Sequence, residues 1–268
     1  MFASNLRPLS FGEILDGAFT LYRRHFATLA LTGLLAQLPV IAVYLLQAAF
    51  ARPGVEGAMT SMLISLLLIP AAAFGYGIGR PAIVRQASNA YLGEPVTRQD
   101  GFAVGRKRFW AALGTGILYM IAVYLGLIFF IVPFFLLNIM FFASDQAVAL
   151  EGLAGPDALS RSSALAKGAW GRIAGLWTVM SLIVYMPIIA LGFGGALMIP
   201  TLAGGLSPED MTAATAAIQI GGALLGAVMQ PLMVLTITLL YYDRRVRTEA
   251  LDLAPPPAST MDSPPAFA

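Results

Sequence analysis

A chain of 268 residues with 58% hydrophobic and 11% charged residues carries less than half the charge of an ordinary soluble domain, about 25%. It cannot cover a water-facing surface, which excludes a soluble globular fold. With no cysteine and a single histidine, His25, disulfides and thiolate sites are excluded, and a formal charge of +2 leaves no footprint for nucleic acid.

Crossing about 30 Å of hydrocarbon takes about 20 apolar residues. Before the first such run, Phe11, Ile14, Leu15, Ala18, Phe19, Tyr22 and Phe26 share one helical face, while Glu13, Asp16, Arg23 and Arg24 point elsewhere. Ser10 and Glu13 have capping-box spacing, and the apolar stripe is expected to lie in the lipid interface. The first span covers 26–50. It ends on Ala49-Phe50-Ala51, a small-x-small pattern, but the run is too long for the apolar core of a signal peptide, about 7 to 15 residues.

The second span covers 59–79. Its Gly75-Tyr76-Gly77-Ile78-Gly79 follows no strand and opens no soluble helix, so it is not a nucleotide loop. Pairs such as Gly75 with Gly79, Gly171 with Gly175 and Gly222 with Gly226 have the spacing of close helix contacts, within the bundle or in a homo-oligomer. A basic segment from Pro95 to Lys107 leads into spans over 110–130 and 133–150. As one straight helix, residues 111–150 would be about 60 Å long, so a turn at Ile131-Val132-Pro133 is expected. The two arms either both cross or form a re-entrant hairpin. A third segment, from Pro156 to Arg172, leads into spans over 173–199 and 214–241.

The segments starting at Pro8, Pro95 and Pro156 read as three degenerate units, each an interfacial helix feeding a hairpin, with Trp110 and Trp170 at an aromatic belt. A plainer reading is that any cytoplasmic loop between spans is basic and amphipathic. The expected fold is all-α: a polytopic membrane bundle of six transmembrane helices with cytoplasmic interfacial amphipathic helices. Residues 1–250 form the membrane domain, and the Pro-, Ala- and Ser-rich tail 251–268 is expected to be disordered.

Orientation follows from charge. With six crossings, 15 of the 16 Lys and Arg fall on one side and only Arg52 on the other; a single crossing over 111–150 would leave nine against seven. The asymmetry predicts a multi-pass protein with both termini in the cytoplasm.

Polar groups inside spans are costly and mark candidate sites: Gln37, Asn138, Asp145, Gln146, Gln219 and Gln230. Gln37 lies two residues before Pro39, and Gln230 directly precedes Pro231, so each sits beside a carbonyl freed by proline. Such amides either line a midplane polar cavity or bond across a helix interface. Asp145 is the only carboxylate within a proposed span. It is expected to pair with an arginine lining the inner side, because a proton relay needs a second ionisable group at its depth and none is visible in sequence.

No esterase elbow, zinc-protease helix or Walker loop is found, and the carboxylates Glu13, Asp16, Glu94, Asp100, Glu151 and Asp157 lie scattered over separate segments. No enzyme, cofactor or metal site is expected. His25, beside Arg23 and Arg24, reads as part of a basic interface. The expected partners are anionic lipid headgroups on the cytoplasmic side, with a membrane-protein partner or a second copy as a further possibility.

Three patches carry a resemblance: Leu6-Arg7-Pro8-Leu9-Ser10-Phe11-Gly12-Glu13-Ile14-Leu15-Asp16, then Ala158-Leu159-Ser160-Arg161-Ser162, then 241–253, which contains Tyr242, Asp243, Arg245, Arg247 and Glu249. Together with the six-span plan they are similar to a prokaryotic family of membrane proteins named for the membrane domain sometimes joined to glycerophosphoryl diester phosphodiesterases. Ala250 stands where that family's pattern suggests glycine. The resemblance implies a membrane domain alone, without phosphodiesterase chemistry. Within the last patch, Asp243 can reach Arg247 and Arg245 can reach Glu249 at i,i+4 spacing, fixing the exit of the last helix. The functions that fit are a non-catalytic protein that organises lipids or membrane partners, or a small-molecule or lipid transporter with a polar cavity.

Overall fold

The computed structural model describes residues 6–50, 54–129, 131–202 and 208–250. Arg52 and the 251–268 tail lie outside them. The described residues form helices and turns only: α1 (Phe11–Arg24), α2 (Phe26–Ala49), α3 (Gly54–Ser65), α4 (Leu68–Leu92), α5 (Arg98–Phe129), α6 (Ile131–Met140), α7 (Ser144–Gln146), a wide π turn (Ala147–Glu151), α8 (Pro156–Ala166), α9 (Trp170–Leu202) and α10 (Pro208–Glu249). Six helical stretches are long and apolar enough to cross a membrane: Phe26–Ala49, Val55–Leu92, Arg98–Ile128, Ile131–Glu151, Trp170–Gly195 and Ala213–Glu249. The fold is an all-α polytopic bundle.

The central helix is α10, which packs against α1, α2, α4 and α9. Its apolar window is 61% buried, against 17–33% for the other five. The exposed apolar side chains map the lipid-facing belt. On α5 they begin at Trp110, 80% exposed, and continue to Ile128, a rise of about 27 Å at 1.5 Å per residue, which matches the hydrocarbon thickness. On the basic side of this belt the helices continue into a packed inner layer. Ile14, Leu29, Leu165, Ile173, Leu176, Met180, Leu235, Leu239 and Leu240 are fully buried there.

This inner layer departs from the loop-and-span picture at three places. First, α4 does not end at Gly79; it runs through Arg80 and Pro81 to Leu92, burying Ala82, Ile83, Val84, Gln86, Ala87, Ser88 and Asn89. It stops at Gly93, whose φ of 76° suits a residue without Cβ, and the Glu94 amide closes the end by donating to Asn89 O at 2.8 Å. Second, the segment after Pro95 is no separate interfacial helix, because nothing between Arg98 and Phe129 interrupts α5. Third, α1 is amphipathic and has the Ser10–Glu13 capping box, but protein covers the middle of the stripe expected to face lipid, leaving only Phe11 and Phe26 at its ends exposed. Ile14, Ala18, Leu21 and Tyr22 are buried, α1 packs against α10, and the Tyr22 hydroxyl donates to Val228 O.

The expected turn at 131–133 is present, with α5 ending at Phe129 and α6 starting at Ile131. The arms run back to back: a Cβ on Gly126 would lie 2.9 Å from Leu137 Cδ1. The returning arm breaks at 141–143 and resumes through α7 and the π turn to Glu151. There Gly152 (φ 78°) lies against the Arg108 guanidinium, level with the start of the exposed run on α5. Both arms therefore have the same depth.

Candidate functional site

Where the lipid-facing belt gives way to the inner layer, three helices bring polar groups together. Tyr76 and Arg80 lie one turn apart on α4 and so share a face. Asp145 stands in α7, just after the break in the returning arm, and Gln230 stands on α10 before Pro231. Arg80 Nε donates to Asp145 Oδ2 at 2.9 Å and Nη2 approaches the same oxygen at 2.7 Å. The Tyr76 hydroxyl donates to Asp145 Oδ1 at 2.8 Å, and Arg80 Nη1 donates to Gln230 Oε1 at 3.1 Å. The guanidinium carbon also lies 5.9 Å from the centre of the Tyr76 ring, within cation–π range. With the Arg80 and Asp145 side chains only 27% and 16% exposed, each charge has its counter-charge and most of its hydrogen bonds from protein.

The break that presents Asp145 is held by α8. Ser162 Oγ accepts from the Ala143 N–H at 2.9 Å and donates to Met140 O at 3.0 Å. It thus satisfies two backbone groups that a continuous helix would have paired.

Beside the cluster, α2, α4 and α10 line a half-open cavity of about 170 Å³ that includes Gly33, Gln37, Gly75, Tyr76, Arg80 and Gln230 in its walls. Small residues make this possible: a Cβ at Gly33 would overlap the Ala227 carbonyl, and one at Gly75 the Ala36 carbonyl. The cavity accepts a few water molecules or a small polar group, below the roughly 300–1,000 Å³ of a typical small-molecule pocket.

The structure thus brings Asp145 and Gln230 together through Arg80 and places Gln37 on the same cavity. Asn138 lies apart, accepting from the Tyr119 hydroxyl at 2.6 Å and donating to Phe134 O at 2.8 Å, a bond across the α5–α6 hairpin. Gln146 donates to Thr238 Oγ1 at 3.3 Å, and Gln219 is exposed. Sequence reasoning missed Arg80 and Tyr76. The available signal was slight: between Gly79 and the Ser88-Asn89 pair only Pro81 interrupts the run, which lets Arg80 be read as intrahelical.

Two further clusters lie deeper in the inner layer, one around Asp243 and one around Arg161, and together they draw on all three resemblance patches. Asp243, with a side chain 0% exposed, accepts from the Leu9 N–H at 2.8 Å and from Arg247 Nε at 2.9 Å, and Arg172 approaches it at 3.4 Å. Arg172 and Arg247 both also donate to Leu9 O. Arg245 pairs with Glu249 at 2.9 Å, and Arg161 of α8 bridges Glu249 to Glu151, which also accepts from the Tyr241 hydroxyl. Those two carboxylates hold the Arg161 guanidinium above its ordinary value. The Tyr242 hydroxyl bonds Ser88 at 2.7 Å, and Arg244 caps α8 through the carbonyls of Leu165 and Lys167. Apart from the buried Arg172 Nε, which has no hydrogen-bond partner among the described residues, these groups satisfy one another, and the two clusters read as a structural clasp.

No group of three His, Asp or Glu able to hold a metal ion is found among the described residues. Comparison with family models, with curated proteins and with solved structures finds no match. The class of the chain is therefore carried by the fold alone: it is a multi-pass helical membrane protein.

Proposed function

We propose that this chain is a non-catalytic protein of the bacterial inner membrane, with both termini cytoplasmic, that organises lipids or membrane partners on its cytoplasmic face. One observation carries the reading: the bundle axis on the basic side is filled by a packed, mainly apolar core around α10 and tied by the Asp243 and Arg161 clusters. Such a layer closes the axis to solutes and presents a rigid basic platform. The three resemblance patches meet in that platform, which supports membership of the family to which the chain is similar. The 15 to 1 distribution of basic residues supports the orientation.

Purified protein reconstituted in phosphatidylglycerol and phosphatidylethanolamine liposomes should retain anionic lipid selectively and conduct no solute. A C-terminal reporter should be active only in the cytoplasm. Activity only on the far side would overturn the orientation, and selective solute uptake would overturn the non-transport reading.

A carrier is the second reading. Its support is the cavity at Gln37, whose amide has no hydrogen-bond partner among the described residues. It requires that pH-driven uptake, where the wild type shows it, vanish in a folded Asp145→Asn protein.

A further inference from the structure

On the opposite side of the α2–α4 contact from the Arg80 cavity lies a second groove, of about 220 Å³, between α2, α4 and α5. Its floor is Ala36 and Gly75, where the two helices touch, and its walls are Leu35, Phe74, Ile78 and Phe102. Leu35 and Phe74, 43% and 50% exposed, open it towards the lipid-facing belt. Its other end is Arg106, an exposed side chain with no carboxylate partner among the described residues.

Arg106 precedes Trp110, the first residue of the exposed run on α5, by one helical turn, about 6 Å of rise. This places the guanidinium at headgroup depth, with the apolar trough beginning where acyl chains begin. An apolar trough that opens to lipid and ends in a free guanidinium at that depth is complementary to one molecule present in quantity there. A guanidinium binds phosphate oxygens through a planar fork of donors, which water in a bare groove would satisfy less well.

Resting on the lipid-organising reading above, we infer that the α2–α4–α5 groove binds an anionic phospholipid of the leaflet on the basic side, its phosphate on Arg106 and an acyl chain against Leu35 and Phe74.

The full chain in nanodiscs of mixed phosphatidylglycerol and phosphatidylcholine, with retained lipid measured by mass spectrometry, tests this. Phosphatidylglycerol should be enriched, and Arg106→Gln should reduce the enrichment about tenfold, the value of a hydrogen bond to a charged group at a specific phosphate. Lys107→Gln, the same charge loss at a residue that does not line the groove, should leave it unchanged. Phosphatidylglycerol carrying a photoreactive acyl chain should label the peptides containing Leu35 and Phe74, and Leu35→Trp, which fills the trough without altering charge, should abolish that label. Excess inorganic phosphate should not displace the lipid; displacement would make the groove a phosphate site and overturn the proposal. Enrichment that survives Arg106→Gln, equal loss in both charge variants, or labelling elsewhere would also overturn it while leaving the lipid-organising reading intact. No enrichment in the wild type would overturn both.

Discussion

At the scale of single residues, the pairing of Arg80 with Asp145 decides what the belt's inner edge can do. Losing one member of a fully buried pair costs about 3–5 kcal/mol because the other charge is left in a poor solvent; here partial exposure of both reduces that to about 2 kcal/mol. Asp145→Asn should therefore lower the thermal midpoint, and the Arg80→Gln, Asp145→Asn double variant should lose less than the sum of the singles. Additive losses in a thermal-shift series would show that the two side chains are not coupled. Glu13 gives a prediction in pH. The hydrogen bond from Arg7 and the Ser10 cap pull its carboxyl from 4.5 down to about 2, so its support of the α1 N-terminus is fully present above 4.5 and is lost as pH falls through about 2. Protection factors in the first turn of α1, which remove the intrinsic pH dependence of exchange, should hold to about pH 3 and fall below it, and Glu13→Gln should remove that dependence of the protection factor. The carboxylate and the kind of partner it needs, an arginine on the inner side, were legible in sequence; which arginine was not, because Arg80 follows an apolar run and precedes Pro81, so that it reads as the start of a loop until α4 is seen to continue through it.

At the scale of elements, small residues set helix spacing, and sequence spacing alone does not say which ones. Of the three small-xxx-small pairs, Gly75 and Gly79 both meet Ala36 of α2, whereas Gly171 and Gly222 face open space. Gly33, outside any such pair, lies tightest, against the Ala227 backbone. Gly33→Ala should force α2 and α10 apart and destabilise the bundle by about 1–3 kcal/mol, as overpacking does, while Gly222→Ala should be tolerated. Equal thermal midpoints for the two variants would contradict the packing described here. The six spans were legible because hydropathy reports contact with lipid. Where helices bury small and polar residues against one another, as α4 does beyond Gly79 and α5 does before Trp110, that signal disappears although the helix continues. For the same reason the stripe on α1 fitted lipid and α10 equally well in sequence: amphipathicity shows that a face will be covered and not what covers it.

At the scale of the whole molecule, Asp243 ties the two ends of the described chain together. Its carboxylate holds the Leu9 N–H, while Arg247 and Arg172, which flank it from α10 and α9, hold the Leu9 carbonyl. The chain before α1 is thus clamped on both backbone groups of one residue, and α1 in turn covers α10 from Leu239 to Val228. Asp243→Asn keeps the size of the side chain but leaves two guanidinium groups without their shared counter-charge, at a cost of about 2 kcal/mol because those groups, 22% and 36% exposed, keep part of their hydration. The loss should be local at first, because the i,i+4 contact with Arg247 belongs to α10 alone whereas the Leu9 contact spans the chain. Amide exchange at Leu9 and in the first turn of α1 should therefore accelerate before any change in α5 or α6. Arg161→Gln, which cuts the separate bridge between Glu151 and Glu249, should instead loosen α8 and the end of α10 while leaving Leu9 protected. If both variants open the same segments, the two clusters form one cooperative clasp; if Asp243→Asn leaves Leu9 protection unchanged, the clamp on the N-terminal segment does not depend on that carboxylate.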